Sequence, residues 1–217
     1  MPDAVVLSVN VGVPRRVDAN EKTVLTGIFK FPVRGRVRVR GYNLEGDRQA
    51  DLRVHGGPSK AVYLYPSEHY AFWKAELGLS VLDYGAFGEN LTTEGLLEEE
   101  VRIGDQFRVG SIVLQVTQPR MPCFKLGLRF GRSDMVRRFW ESGRSGMYFS
   151  IVKRGDVGQG EKLVRVASGP EEISVADVVR LYTGKEWRDE MVARALRSPL
   201  HGSWKRDIQS RLTEGVP

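Results

Sequence analysis

Cysteine is almost missing from this chain: Cys123 is the only one in 217 residues. One cysteine cannot close an internal disulfide, and a chain of this length buries enough core to do without one. Long apolar runs are missing as well. Nothing approaches the roughly 20 residues that a membrane helix needs. The N-terminus lacks the succession of charged, apolar and small residues that marks a secretory signal, so a reducing cytoplasm is the expected compartment. Nucleotide fingerprints are also absent. The run Gly56-Gly57-Pro58-Ser59-Lys60 does not have the Walker A spacing, and no dinucleotide or flavin motif stands elsewhere. The glycines at 155, 158 and 160 mimic a phosphate loop, but a strand-like segment over 162–166 follows them, so a hairpin turn is expected there. Acidic residues fall short of basic ones, 27 Asp+Glu against 33 Lys+Arg, for a net charge of +6. That balance suits an anionic partner: a cofactor phosphate, a nucleic acid or an acidic protein.

The first 167 residues read mostly as strands. Residues 4–11 are rich in β-branched side chains and run into Gly12 and Pro14, and residues 23–31 add a second strand. Over 36–40 arginine and valine alternate with period two, which places three arginines on one face of a strand. Such a face is either an anion-binding surface or the solvated side of an antiparallel sheet, the commoner case. Asp47, Asp51, Arg53, His55 and Lys60 form the densest polar cluster, around a Gly-Gly-Pro turn that could offer backbone N–H groups and cations to a phosphate. A short strand over 61–65 leads into a helix over 68–77. There Tyr70, Trp73 and Leu77 share a core-facing stripe and His69 is expected at the periphery. Gly85 and Gly88 precede Glu89-Asn90, either as a ligand-approaching loop or as an ordinary turn into a strand. Strand, turn and strand follow over 101–117, then a short helix over 133–141 and a strand over 146–152. Past Ser168-Gly169-Pro170 the strand pattern stops. Three helices are expected, over 174–183, 185–197 and 203–212, with Ser174 as an N-cap of the first. Some 40 residues make a marginal core alone, so these helices should dock on the main domain or on a partner subunit. Their interspersed acids argue against a DNA-binding unit.

Cys123 lies in Gln118-Pro119-Arg120-Met121-Pro122-Cys123-Phe124-Lys125-Leu126, just beyond an apolar strand. A lone cysteine is most often a small buried apolar residue. Here the prolines favour an irregular loop, and Arg120 and Lys125 favour the thiolate, which is both the nucleophilic and the metal-binding form.

Three clusters in order carry a resemblance to a known family. They are Gly46-Asp47-Arg48-Gln49-Ala50-Asp51-Leu52-Arg53-Val54-His55-Gly56-Gly57, then Phe87-Gly88-Glu89-Asn90-Leu91, then Pro119 to Leu126. The chain resembles the MOSC family, named for the C-terminal domain of the molybdenum cofactor sulfurase. Within it, the chain is similar to the bacterial subgroup with a C-terminal three-helix domain, the 6-N-hydroxylaminopurine resistance proteins. The resemblance implies a mainly β (α+β) chain: a mostly antiparallel β barrel with peripheral helices over 1–168 and a three-helix domain over 169–217. It implies a molybdenum cofactor (molybdopterin), with no pyridoxal phosphate. It further implies detoxifying reduction of N-hydroxylated base analogues, amidoximes and hydroxamic acids, with electrons from a separate flavin or iron–sulfur protein. A carrier of cofactor or sulfur without turnover is the alternative.

On this resemblance Cys123 is the metal ligand, a soft thiolate suited to a sulfur-rich centre. Arg53, His55, Lys60, Asn90 and Arg120 join it around the cofactor, and Cys123, His55, Asn90 and Asp47 are the catalytic candidates, with Asp51 a further proton source. Stable nucleic-acid or membrane binding is not expected, and a homodimer is compatible with the resemblance.

Overall fold

The computed structural model describes residues 4–19, 22–52 and 55–214. The N-terminal strands are β1 (Ala4–Val11), β2 (Arg15–Ala19), β3 (Lys22–Thr26), β4 (Phe31–Pro32), β5 (Arg36–Arg40), β6 (Asn43–Leu44) and β7 (Val62–Pro66). After α1 (Glu68–Leu77) come β8 (Leu91–Glu94), β9 (Gln106–Val109) and β10 (Ile112–Pro119). Two helices, α2 (Phe124–Phe130) and α3 (Met135–Ser142), precede β11 (Met147–Lys153), β12 (Asp156–Gly158) and β13 (Lys162–Ala167). The chain ends in α4 (Val175–Thr183), α5 (Asp189–Arg197) and α6 (Gly202–Glu214).

Hydrogen bonding runs β13-β9-β10-β11-β7-β8-β1, and a further pairing of β1 with β13 closes these seven strands into a barrel. Within it only β7 and β8 pair in parallel; the other pairings are antiparallel. A parallel pair needs a crossover, and here the crossover contains α1 and the Gly85–Asn90 loop. The mostly antiparallel barrel with peripheral helices and three C-terminal helices, expected from the resemblance, is the fold observed.

Valine, leucine and phenylalanine fill the barrel: Val6, Val9, Leu64, Leu91, Val116 and Phe149 are fully buried. Val178, Leu181, Ala195, Trp204 and Ile208 of the last three helices belong to the same apolar cluster. A second cluster, Tyr65, Tyr70, Trp73, Phe87 and Phe139 with neighbours, lies where α1 and α3 cover the barrel.

Several local expectations are corrected. Residues 23–31 are not one strand. β2 and β3 form an antiparallel hairpin outside the barrel, and the chain resumes as the two-residue β4 on β1. The glycines at 155–160 do not make a hairpin, because β12 pairs with β5 whereas β13 pairs with β9 and β1. His69 is not peripheral. It is buried against Glu98, whose Oε2 lies 2.8 Å from Nε2 and whose Oε1 accepts the Gly146 N–H. Helix α2 begins directly at the cysteine, where an irregular loop was expected. The three arginines of β5 do point outward, but Arg36, Arg38 and Arg40 pair with Glu161, Asp156 and Glu45. The solvated-face reading therefore holds, and an anion surface there loses its charge.

Candidate functional site

β10 ends at Pro119, and Arg120 to Pro122 bend the chain into α2, for which Cys123 is the N-cap in extended conformation. Its thiol makes no capping bond, which leaves the sulfur available to the space beside it. Sγ lies 3.6 Å from Nε2 of His55. Burial first, then the nearby cations Lys125, Lys60 and Arg120, push the His55 imidazole below its ordinary value, so it is neutral at pH 7.

Cys123 and His55 stand where two spaces join. The inner cavity is walled by Lys30, Arg48, Lys60, Arg120 and Lys125, with Tyr63, Asn90 and Tyr148 among the remaining lining residues. Among the described residues no aspartate or glutamate lines it. The outer groove shares Cys123, His55, Lys60, Lys125 and Tyr148, and runs out between β3, α2 and α6. It does carry carboxylates, from Asp51 and Asp207.

Arg120 sets the character of the inner cavity. The residue is 5% exposed, and its guanidinium donates to the Phe87 carbonyl, reaches Tyr63 Oη at 3.5 Å and lies over the Tyr63 ring. Burial opposes its charge, but Tyr63, Tyr148 and Cys123 alongside hold its proton more firmly than usual. It has no carboxylate partner among the described residues. A buried cation in that condition is a standing attraction for an anion.

Behind the wall lies a polar lattice that holds its shape. Asp47 is 3% exposed; its Oδ1 accepts the Gly12 N–H, and its Oδ2 accepts from Lys30 Nζ at 2.7 Å and from Asn90 Nδ2 at 3.0 Å. Asn90 also donates to Asn10 O and accepts the Tyr63 N–H, so it ties β1 to β7. Glu89 accepts the N–H groups of Gly85 and Phe87 and the hydroxyls of Tyr70 and Thr92. This carboxylate folds the loop that carries Gly88 to the cavity. Gly88 has φ +77°, and a Cβ there would come within 2.9 Å of Ile28 Cγ1, so only glycine lets the two walls approach.

The structure thus brings together His55, Lys60, Asn90, Arg120 and Cys123 of the expected set. It sets Asp47 behind the wall with both oxygens engaged, and places Asp51 on the outer groove. Arg53 lies outside the described residues. Sequence reading gave no role to Lys30, Arg48, Gln49, Tyr63 or Tyr148. A lysine set between Phe29 and Phe31 was the signal for the first; the tyrosines carry none, since strand aromatics are ordinary core.

The residues fit a phosphate-bearing pterin whose metal takes one bond from the protein. Five cations offer a seat to anionic groups, and Gln49 Oε1 and His55 Nδ1, both on lining residues, are buried without partners and could meet polar groups of a ligand. Among the described residues no three His, Cys, Asp or Glu converge, so a metal seated at Cys123 would have to bring its other ligands with it.

Fold and site together define a β-barrel protein with an anion-attracting cavity and a single thiol at its edge. Residues 51–164 match the family model of the MOSC domain, and the chain belongs to that family. Over 213 residues it is 41% identical to YflK of Bacillus subtilis, an uncharacterized protein, covering 98% of this chain and 96% of that one. It is 36% identical to the protein YiiM of Escherichia coli over 193 residues, covering 88% and 86% of the two chains. A protein of Gibberella moniliformis called a reductase is 31% identical over 180 residues, covering 82% of this chain and 32% of that protein. Among solved structures, YiiM of Geobacillus stearothermophilus superposes with a TM-score of 0.79 at 32% identity, covering 96% of this chain and 99% of that one.

Proposed function

We propose that this chain binds a molybdenum cofactor and reduces N-hydroxylated compounds, with electrons from a separate reductase of flavin or iron–sulfur type. The observation that carries the reading is the inner cavity itself: five cations, one of which, Lys30, is answered from behind the wall by Asp47, no carboxylate among the described lining residues, and the single thiol of the chain at its mouth. Membership in the MOSC family and the similarity to a fungal reductase support it. The net reaction takes N–OH to N–H and water, consuming two electrons from the donor and two protons. When bound, the cofactor supplies the electron transfer and oxygen abstraction that no protein side chain can.

The chain's own residues hold, orient and protonate. Arg48, Lys60, Arg120 and Lys125 would face the cofactor's anionic groups, with Lys30 held beside them by Asp47, and Cys123 would give the metal its protein bond as a thiolate. Neutral His55 can accept the thiol proton at Nε2 as that bond forms. It can later pass protons toward a leaving hydroxyl, since it lines both spaces. Asp47 and Asn90 keep Lys30 and the wall in place.

The 3.6 Å Cys123–His55 contact also favours a second reading, a thiol hydrolase or transferase. That chemistry needs the base held by a third group, yet His55 Nδ1 meets no partner. The two readings separate in one experiment. Protein from a cofactor-competent cell should contain about one molybdenum per chain. Cys123→Ala should lose both metal and reduction of benzamidoxime while melting at the native temperature. Undiminished reduction in the mutant would sink the ligand assignment. Acylation or alkylation of Cys123 by a substrate analogue in metal-free protein would favour the thiol enzyme.

A further inference from the structure

The outer groove differs in chemistry from the cavity it opens from. Its cations Lys60, Lys125 and Arg206 are offset by Asp51 and Asp207, so it has little net pull on an anion. Three large apolar side chains on its walls stand open to solvent: Leu25 at 48%, Met121 at 42% and Phe124 at 59% exposed. Exposed apolar side chains gathered along one groove mark a ligand-binding surface, whereas single ones do not. The groove also has a built polar feature. Gln118, the penultimate residue of β10, lines it at 1% exposure, and its Oε1 has no hydrogen-bond partner. A buried carbonyl left in that state loses free energy that a ligand donor would return. The far wall comes from α6, through Trp204, Arg206 and Asp207.

We propose that this groove seats the body of the substrate, and that Phe124 and Gln118 set its specificity. Resting on the reductase reading above, the substrate is a ring-bearing member of the N-hydroxylated compounds named there. Its flat ring lies against Phe124 and Met121, and an N–H or O–H of its amidine or hydroxylamine end is held by Gln118 Oε1. The ring orientation delivers the N–OH group to the junction at Cys123, where groove and cavity meet. Helix α6 is then a wall of the active site as well as part of the C-terminal helices. Planar rings suit this seat because an exposed phenylalanine gains most from an offset-stacked partner.

The test uses calorimetric titration, which needs no turnover, on molybdenum-loaded protein. The probes are benzamidoxime, which is aromatic, and acetohydroxamic acid, which is small and aliphatic. Phe124→Ala, at an exposed position, and Gln118→Leu, close to isosteric, should each weaken benzamidoxime binding about tenfold, or about 1.4 kcal/mol. Acetohydroxamic acid affinity, molybdenum content and melting temperature should stay at native values for Phe124→Ala, which carries the test if Gln118→Leu does not fold. Native protein that fails to bind benzamidoxime, a Phe124→Ala or folded Gln118→Leu variant that binds it as tightly as native, or equal losses of both probes in Phe124→Ala would overturn the proposal. Tight, groove-dependent binding without any reduction would instead overturn the reductase reading and leave the groove intact.

Discussion

At Asp47 three donors converge, from Gly12, Lys30 and Asn90, and the cost of removing the acceptor can be stated. Lys30 is 7% exposed; burial first, and the Arg120 charge after it, push its ammonium below the usual lysine range, and Asp47 is the main influence working the other way. Asp47→Ala leaves that cation buried without its carboxylate. We expect a loss of about 3–5 kcal/mol, read from the urea midpoint. A change below about 1 kcal/mol would show that Lys30 finds water or another acceptor. The sequence shows Asp47 in a polar cluster and says nothing of Lys30, 17 residues earlier, because no periodicity links a strand end to a loop across a barrel wall. Cys123 is different. As the single thiol of the chain, among prolines and cations, it stands out in the sequence, while its contact with His55, 68 residues away, is visible only in three dimensions.

Elements were legible in proportion to how much of their stabilisation is local. Helix α4 carries a complete capping box within four residues: the Ser174 hydroxyl accepts the Asp177 N–H, and the Asp177 carboxylate accepts the Ser174 N–H. Ser174→Ala should therefore cost about 1 kcal/mol in thermal or urea unfolding. Asp177→Asn should cost less, since it retains an acceptor; a larger loss in Asp177→Asn would mean that the ion pair with Arg180 matters more than the cap. By contrast α2 spans only seven residues, opens after Pro122 and contains Gly127, so it is too short to show a period and its composition argues against a helix. Gly127 is there for closeness: a Cβ would come within 2.7 Å of the Arg132 carbonyl. The arginine–valine alternation of β5 was readable outright. The hairpin of β2 and β3 was not, because β3 stops at Thr26, partway along a segment that reads as one strand to residue 31.

For the molecule as a whole, the three C-terminal helices are countable from composition and caps, but their attachment is not. In the structure their apolar residues share one cluster with the barrel strands. The proposed boundary near residue 168 therefore divides the chain by secondary structure, and not by core. We expect the full chain to unfold in a single calorimetric transition. A chain ending at 168 should lose solubility, as the barrel surface under α4 is uncovered. Two resolved transitions, or a soluble, fully folded fragment, would show that the helices form an independent unit. Closure of the barrel came from the resemblance alone: nothing in the pattern of residues 4–11 indicates that they pair with 162–163 as well as with 91–94.

That closure imposes an order in time. The seam between β1 and β13 rests on two residue pairs, Ala4 with Leu163 and Val5 with Lys162. Every residue that walls the inner cavity, from Thr26 to Tyr148, precedes the far side of the seam. During synthesis from the N-terminus all the parts of the cavity are therefore made before the barrel can shut. A cavity whose mouth at Cys123 opens into the outer groove can still take its ligand after the seam is shut.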